Sequence, residues 1–252
     1  MYIGGLQLRH TSSHIFFHSK LITLSVFFTE IRTIKSVVIK KKRGRKMGKL
    51  NKAIFITGTD TDVGKTFVSA WLCYHLKADY WKPIQTGERD SDIIHKISPH
   101  SIVHPENYRF VNAVSPHLAA LQEKTEILLQ DITFPKTLNP LVIEGAGGVL
   151  VPINNSMFIA DLIKALKVPV LIVSRNALGT INHTCLTIEA LKKRGIPILG
   201  IILNGSSDLP NKEAIESYSG VSVLATLPSV SKISHTSVDQ LELPYSLKGV
   251  FE

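Results

Sequence analysis

A doubly wound α/β fold, with a mostly parallel sheet and helices on both of its faces, is the architecture this sequence predicts. Two observations carry that expectation. Short apolar runs recur at 53–57, 80–84, 141–144, 169–174, 198–204 and 221–227, and stretches with helical patterning separate them. Two of the runs, 170–173 and 199–203, are continuously apolar rather than alternating, as expected of parallel strands covered on both faces. Alternating strands and helices build such a sheet, and its ligands bind beyond the carboxyl ends of the strands.

The first run leads into Gly58-Thr-Asp-Thr-Asp-Val-Gly64-Lys65-Thr66, and an amphipathic stretch follows over 67–76. Strand, glycine-bearing loop and helix, in that order, are the context in which the pattern G-x-x-x-x-G-K-[ST] binds phosphate. Successive backbone N–H groups and the positive end of the helix dipole converge on one spot, which suits a polyphosphate. Lys65 is placed to reach the β- and γ-phosphate oxygens, and the Thr66 hydroxyl to support Mg²⁺. The fold is therefore expected to be of P-loop NTPase type.

The later runs end in polar groups. The run at 80–84 carries Lys82-Pro-Ile-Gln-Thr-Gly87, and that at 141–144 leads into Glu144-Gly-Ala-Gly-Gly148. The run at 169–174 leads to Leu178-Gly-Thr-Ile-Asn-His183 at a helix start, and 198–204 ends in Asn204. Between them, 158–166 and 180–194 carry helical spacing. The second closes on Lys192-Lys-Arg-Gly195, cations in the last turn followed by a glycine past the helix end. The polar groups should converge on one edge of the sheet. Glu144, a carboxylate closing an apolar strand, needs a partner to be tolerated there. In Arg89-Asp-Ser-Asp92 a metal-binding role competes with capping of a helix.

Taken in order, these motifs, with Ser115-Pro116-His117 between the second and third, resemble the dethiobiotin synthetase family over roughly 52–228. Related partition and septum-site ATPases carry a Lys directly after the first loop glycine, where this chain has Thr59. The resemblance implies an ATP-dependent cyclo-ligase. It takes 7,8-diaminononanoate and CO₂, forms a carbamate, phosphorylates it and closes a cyclic urea. The products are dethiobiotin, ADP and phosphate.

The family pattern also implies roles for residues. Lys65 and Lys82 are expected to be catalytic, stabilising charge where two anionic groups meet. Nucleotide is expected on Asp62, Val63, Gly64, Lys65, Thr66 and Phe67, on Asp92, on Glu144, Gly145, Ala146 and Gly147, and on Asn204, Gly205, Pro228, Ser229 and Val230. Many members carry Asp where Gly205 stands. Mg²⁺ is expected on Thr66, Asp92 and Glu144, and the diamine or carbamate on Thr86. Leu178, Gly179, Thr180, Ile181 and Asn182 are expected to bind the substrate carboxylate at a helix N-terminus, across the interface of a homodimer. His117 and His183 stand alone, without ligand spacing, and are read as orienting local structure. Two other readings share the P-loop. A related amide-forming synthase would normally bring a glutaminase domain, for which 206 residues leave no room. A nucleotide-switched ATPase leaves Lys82 and the segment at Leu178 without a task.

Charge divides the chain. The formal net charge is +9, yet residues 1–46 hold ten Lys or Arg against the single acid Glu30, and 47–252 hold 19 of each sign. A neutral body has no electrostatic footprint for nucleic acid. The apolar run at 21–28 falls far short of the ~20 residues of a membrane span. Neither partner is expected. Residues 1–46 are expected to be upstream sequence translated in error, with Met47 the true start. The acid-poor composition also fits a transit peptide. Residues 47–252 are expected to form one domain, large enough to bury ~70% of its unfolded surface. Cys73 and Cys185 lack metal-ligand spacing and fit a reducing, cytoplasmic compartment.

Overall fold

The computed structural model describes residues 52–206 and 209–249. The basic leader at 1–46, with the expectations attached to it, lies outside the described residues.

Seven parallel strands form the main sheet. In chain order the main elements are β1 (Ala53–Gly58), α1 (Lys65–Leu76), β2 (Asp79–Trp81), β3 (Ile84–Thr86), α2 (Asp90–Ile97), β4 (Val103–His104), β5 (Tyr108–Phe110) and α3 (Pro116–Gln122). Then follow β6 (Leu141–Gly148), α4 (Ile159–Leu166), β7 (Val170–Arg175), α5 (Thr180–Lys193), β8 (Ile198–Asn204), α6 (Leu209–Ser219), β9 (Val223–Leu227), α7 (His235–Asp239) and α8 (Tyr245–Lys248). The spatial order is β4-β2-β6-β1-β7-β8-β9. From β1 the chain winds to one side through β2 and β4, returns to β6, then crosses to β7, β8 and β9. The switch falls beside the carboxyl end of β1, where such sheets bind ligands.

Alternation along the strands feeds two cores. Phe55, Ile143, Val170 and Ile172 point to one face, where they join Ala119, Ile163, Leu191 and Ile215 from α3, α4, α5 and α6. Ile54, Ile56, Val142, Leu171 and Val173 point to the other, and join Trp71, Ile94, Val238 and Leu247 from α1, α2, α7 and α8. Helices thus cover both faces of β1, β6 and β7, so these strands read as unbroken apolar runs. Gly195 follows α5 with φ 68°, the left-handed conformation a helix end favours.

The run at 80–84 is not one strand. Pro83 has no N–H to give a ladder, and the chain leaves the main sheet after Trp81. It resumes as β3, which pairs in parallel with β5 as a separate two-stranded sheet. The break hands Lys82 to the end of β2 and sends Gln85 and Thr86 into the wall of the cavity described next.

Candidate active site

The P-loop is clasped from two strand ends. Gly64 precedes α1 with φ 97°, and a Cβ there would lie 2.0 Å from Asn204 Nδ2, so the position admits only glycine. Asn204, at the end of β8, donates Nδ2 to the Val63 carbonyl at 2.9 Å. Its Oδ1 is buried with no hydrogen-bond partner. Arg175, at the end of β7, donates Nη2 to the carbonyls of Thr61 (3.4 Å) and Asp62 (3.3 Å). Lys65 is buried and turns its Nζ back to the Asp60 carbonyl at 3.2 Å. Burial is the main reason its ammonium pKa is lowered, with Lys82 adding to the effect and the Glu144 and Asp90 carboxylates opposing it.

Register brings the charges together. Trp81 pairs with Ile143 across β2 and β6, so the next residues, Lys82 just past the end of β2 and Glu144 within β6, stand side by side. Lys82 Nζ lies 3.5 Å from Glu144 Oε1 and forms a close ion pair with Asp90 Oδ2. The Thr66 hydroxyl contacts Glu144 Oε1 at 2.9 Å and Asp90 Oδ1 at 3.1 Å. Tyr80 donates its phenol to Glu144 Oε2 at 3.0 Å. Burial pulls the Lys82 ammonium down, but Glu144 and Asp90 together outweigh it, and its pKa stands raised. Burial and the neighbouring carboxylates push the Tyr80 phenol well up, so it stays a donor.

Gln85, buried on β3, ties the next turn. Its Nε2 donates to the carbonyls of Thr86 (3.0 Å) and Glu88 (2.5 Å), and its Oε1 accepts from Asp90 N at 3.3 Å. That turn sets where α2 begins, and so where Asp90 stands.

A cavity of about 990 Å³ opens over this edge. Asp62, Gly64, Lys65, Thr66, Phe67, Lys82 and Thr86 line it, as do Glu144, Ala146, Gly147, Asn204, Ser229 and Val230. A second cavity of about 690 Å³ shares Arg175, Asn204 and Ser229 with it and adds Gly205 and Pro228. The side chain that the resemblance suggests at Gly205 has little room, since a Cβ would meet that of Asn176 at 3.1 Å.

Several expected residues stand elsewhere. Asp92 is exposed and does not line the cavity; Asp90, the first residue of α2, takes the place beside Thr66 and Glu144. The chain leaves Arg89 in an extended conformation and starts the helix at Asp90, which turns Asp92 outward. Val63 is buried beneath the loop, and Gly145 packs on the Phe55 ring, where a Cβ would come within 2.7 Å of it. Leu178, Gly179 and Asn182 are exposed, Thr180 is buried against Ser174 Oγ at 2.9 Å, and none of Leu178, Gly179, Thr180, Ile181 and Asn182 lines either cavity.

The donor set can be tested against what the motifs imply. Thr66 Oγ1, Glu144 Oε1 and Asp90 Oδ1 are three hard oxygens gathered round one hydroxyl proton, a set suited to Mg²⁺ with phosphate oxygens completing the shell. Among the described residues no group of three or more His, Cys, Asp or Glu could hold a metal, so a soft or fully protein-enclosed site is not on offer. Lys65, the loop N–H groups and the orphaned Asn204 Oδ1 fit a nucleoside triphosphate, the last as acceptor for an exocyclic amine.

Asp90, Gln85, Tyr80 and Arg175 escaped the sequence reading as site residues. Asp90 carried a signal, one acid beside another at a helix start. Tyr80 sits in an apolar strand pattern that reads as core, and Gln85 stands in the motif that follows Lys82 without a role of its own.

A family model described as an AAA domain matches residues 52–237. The ATP-dependent dethiobiotin synthetase BioD of Paramagnetospirillum magneticum is 45% identical over 196 residues, covering 77% of this chain and 96% of that protein. That of Lawsonia intracellularis is 48% identical over 200 residues, covering 78% and 98%. A ParA family ATPase from Chlorobium tepidum TLS shares the fold, with a TM-score of 0.52 at 12% identity over 80% of this chain and 93% of its own. The motifs, the site and the relatives agree, and the chain belongs to the ATP-dependent dethiobiotin synthetase family.

Proposed function

We propose that this protein is a cyclo-ligase of biotin biosynthesis, closing the ureido ring of dethiobiotin from 7,8-diaminononanoate and CO₂ at the expense of ATP. The observation that carries the reading is the pairing of Lys82, at the end of β2, with Glu144 of the adjacent strand β6, in the cavity that Lys65 and Thr66 also line. One amine of the diamine adds to CO₂ and loses a proton, giving a carbamate. A carbamate oxygen attacks the γ-phosphorus and ADP leaves. The second amine attacks the carbamoyl carbon, phosphate departs with that oxygen, and the ring closes.

Two anions must meet for the phosphoryl step, so positioning and charge stabilisation dominate. Lys65 neutralises the transferring phosphoryl group, and Lys82 stands between it and the carbamate. Thr66, Glu144 and Asp90 are the residues that would hold Mg²⁺, which would supply charge neutralisation on the phosphate oxygens. Asn204 accepts from the base amine, with Gly205, Pro228 and Ser229 around the base. Thr86 is positioned by β3 to hydrogen-bond the diamine or carbamate.

Exposed Leu178, just before α5, and exposed Leu186, midway along it, support a homodimer in which the segment from Leu178 to Asn182 serves the partner's site. No helix of the described residues is long and apolar enough to cross a membrane, and both cysteines are free. A cytoplasmic enzyme, with residues 47–252 as its single domain, is the proposed reading, and the two free thiols suit a reducing compartment. The test is ADP release by the purified chain with Mg-ATP and bicarbonate, with and without 7,8-diaminononanoate. Strong dependence on the diamine is expected; release that ignores it would leave only a P-loop ATPase.

A further inference from the structure

Glu144 divides its two carboxylate oxygens between separate neighbourhoods. Oε1 faces the cavity, 2.9 Å from the Thr66 hydroxyl and 3.5 Å from Lys82 Nζ. Oε2 faces inward and accepts from Tyr80, at 3.0 Å. Among the described residues no other hydrogen-bond or ion-pair partner reaches Oε2. Tyr80 is fully buried and Glu144 is 1% exposed, so water does not compete for this bond.

The strand pattern explains the arrangement. Tyr80 and Lys82 are two residues apart on the same segment, and side chains two apart point to one face of a strand. Tyr80 pairs with Val142 on β6, two residues behind the Lys82–Glu144 level. Its long side chain therefore reaches forward to the inner oxygen, while Lys82 takes the outer one. The ring is fully buried in the apolar cluster that also holds Trp71, Cys73 and Val142. A ring held by packing and a carboxylate held by the ring leave Glu144 little freedom to rotate.

We infer that Tyr80 is a positioning residue of the reaction: its hydroxyl fixes the Glu144 carboxylate so that Oε1 alone faces Thr66 and Asp90. The inference rests on the reading of that oxygen set as the Mg²⁺ site. A carboxylate without this anchor turns its second oxygen toward the cavity and presents the metal with several orientations instead of one. Anchors of this kind act through the ligand they orient, and losing one typically costs 10–100-fold in metal affinity.

The test is Tyr80→Phe, which removes the hydroxyl and keeps the ring. Calorimetry of ATP binding in Mg²⁺ and in EDTA, with a Mg²⁺ titration of ADP release, supplies the readout. The expected result is a Mg²⁺ half-saturation raised about tenfold or more. Nucleotide affinity in EDTA should stay within about twofold of the parent. A merely structural role would weaken binding equally in EDTA and in Mg²⁺, and that result overturns the inference, as does an unchanged half-saturation. On a Glu144→Gln background, adding Tyr80→Phe should shift the Mg²⁺ dependence no further; an additive shift also overturns it. Tyr80→Met offers a second hydroxyl-free variant if the Phe form folds poorly. A parent protein whose ATP binding ignores Mg²⁺ would overturn the metal assignment and this inference together, whereas a parent response that Tyr80→Phe leaves intact removes Tyr80 alone.

Discussion

Lys82, just past the end of β2, and Glu144, within the adjacent parallel strand β6, stand at the same level, with Nζ 3.5 Å from Oε1. Backbone register fixes the lateral pairing of the two charges, and Pro83 ends the strand directly behind the lysine. Replacing Lys82 by Ala should lower turnover on the order of 10²–10³-fold, the scale for losing one charge-stabilising group. The substitution also leaves Glu144 and Asp90 facing each other without their cation. Steady-state ADP release, with circular dichroism to verify folding, checks this.

Asp90 and Asp92 separate cleanly. Asp90→Asn removes a carboxylate that touches both Thr66 and Lys82, and should raise the Mg²⁺ requirement about tenfold or more. Asp92→Asn alters an exposed side chain outside the cavity and should change it less than about twofold, with stability within about 0.5 kcal/mol. Mg²⁺ titrations of the two variants, run side by side, decide between them.

At the far end of β2, Asp79 is fully buried and accepts from Thr137 Oγ1 (2.6 Å), Asn139 Nδ2 (3.1 Å), Ile102 N (3.3 Å) and His104 Nε2 (3.2 Å). Burial pushes its pKa up, but these donors outweigh it and hold it below the ordinary 3.8. A depressed folded-state pKa contributes stability that is present above the unfolded value and lost as pH falls through the folded one. Acid should therefore begin to erode this contribution below about pH 4. Asp79→Asn should cost about 1–3 kcal/mol at pH 7 and flatten the acid limb of a plot of stability against pH.

Leu178 stands fully exposed at the start of α5. In the proposed homodimer, Leu178→Asp should shift the protein toward monomer in sedimentation. Affinity for the diamine should fall while ATP affinity is kept, because neither cavity contains this segment. Loss of both affinities would point to a folding defect instead.

Much of this was legible in the sequence, and the limits have physical causes. The P-loop could be read because its chemistry lies in consecutive residues with a strand before and a helix after. Glu144 could be read because a carboxylate at the end of an apolar run demands a partner. Asp92 was expected from the family pattern, yet Asp90 stands beside Thr66, because helix phase, which the sequence does not fix, decides which acid faces the cavity. Tyr80 looked like core because it is core; only the register with β6 reveals what its hydroxyl touches. The short sheet of β3 and β5 was invisible, as three-residue strands leave no periodicity.

The most direct measurement supplies ¹³C-bicarbonate, Mg-ATP and 7,8-diaminononanoate to the purified chain and follows ADP and labelled product together. The expected result is one ADP released per dethiobiotin formed, with the label in the ureido carbonyl, and little ADP when the diamine is omitted. ADP appearing at the same rate without the diamine, or a product lacking the label, would contradict the assignment of this site to ring closure.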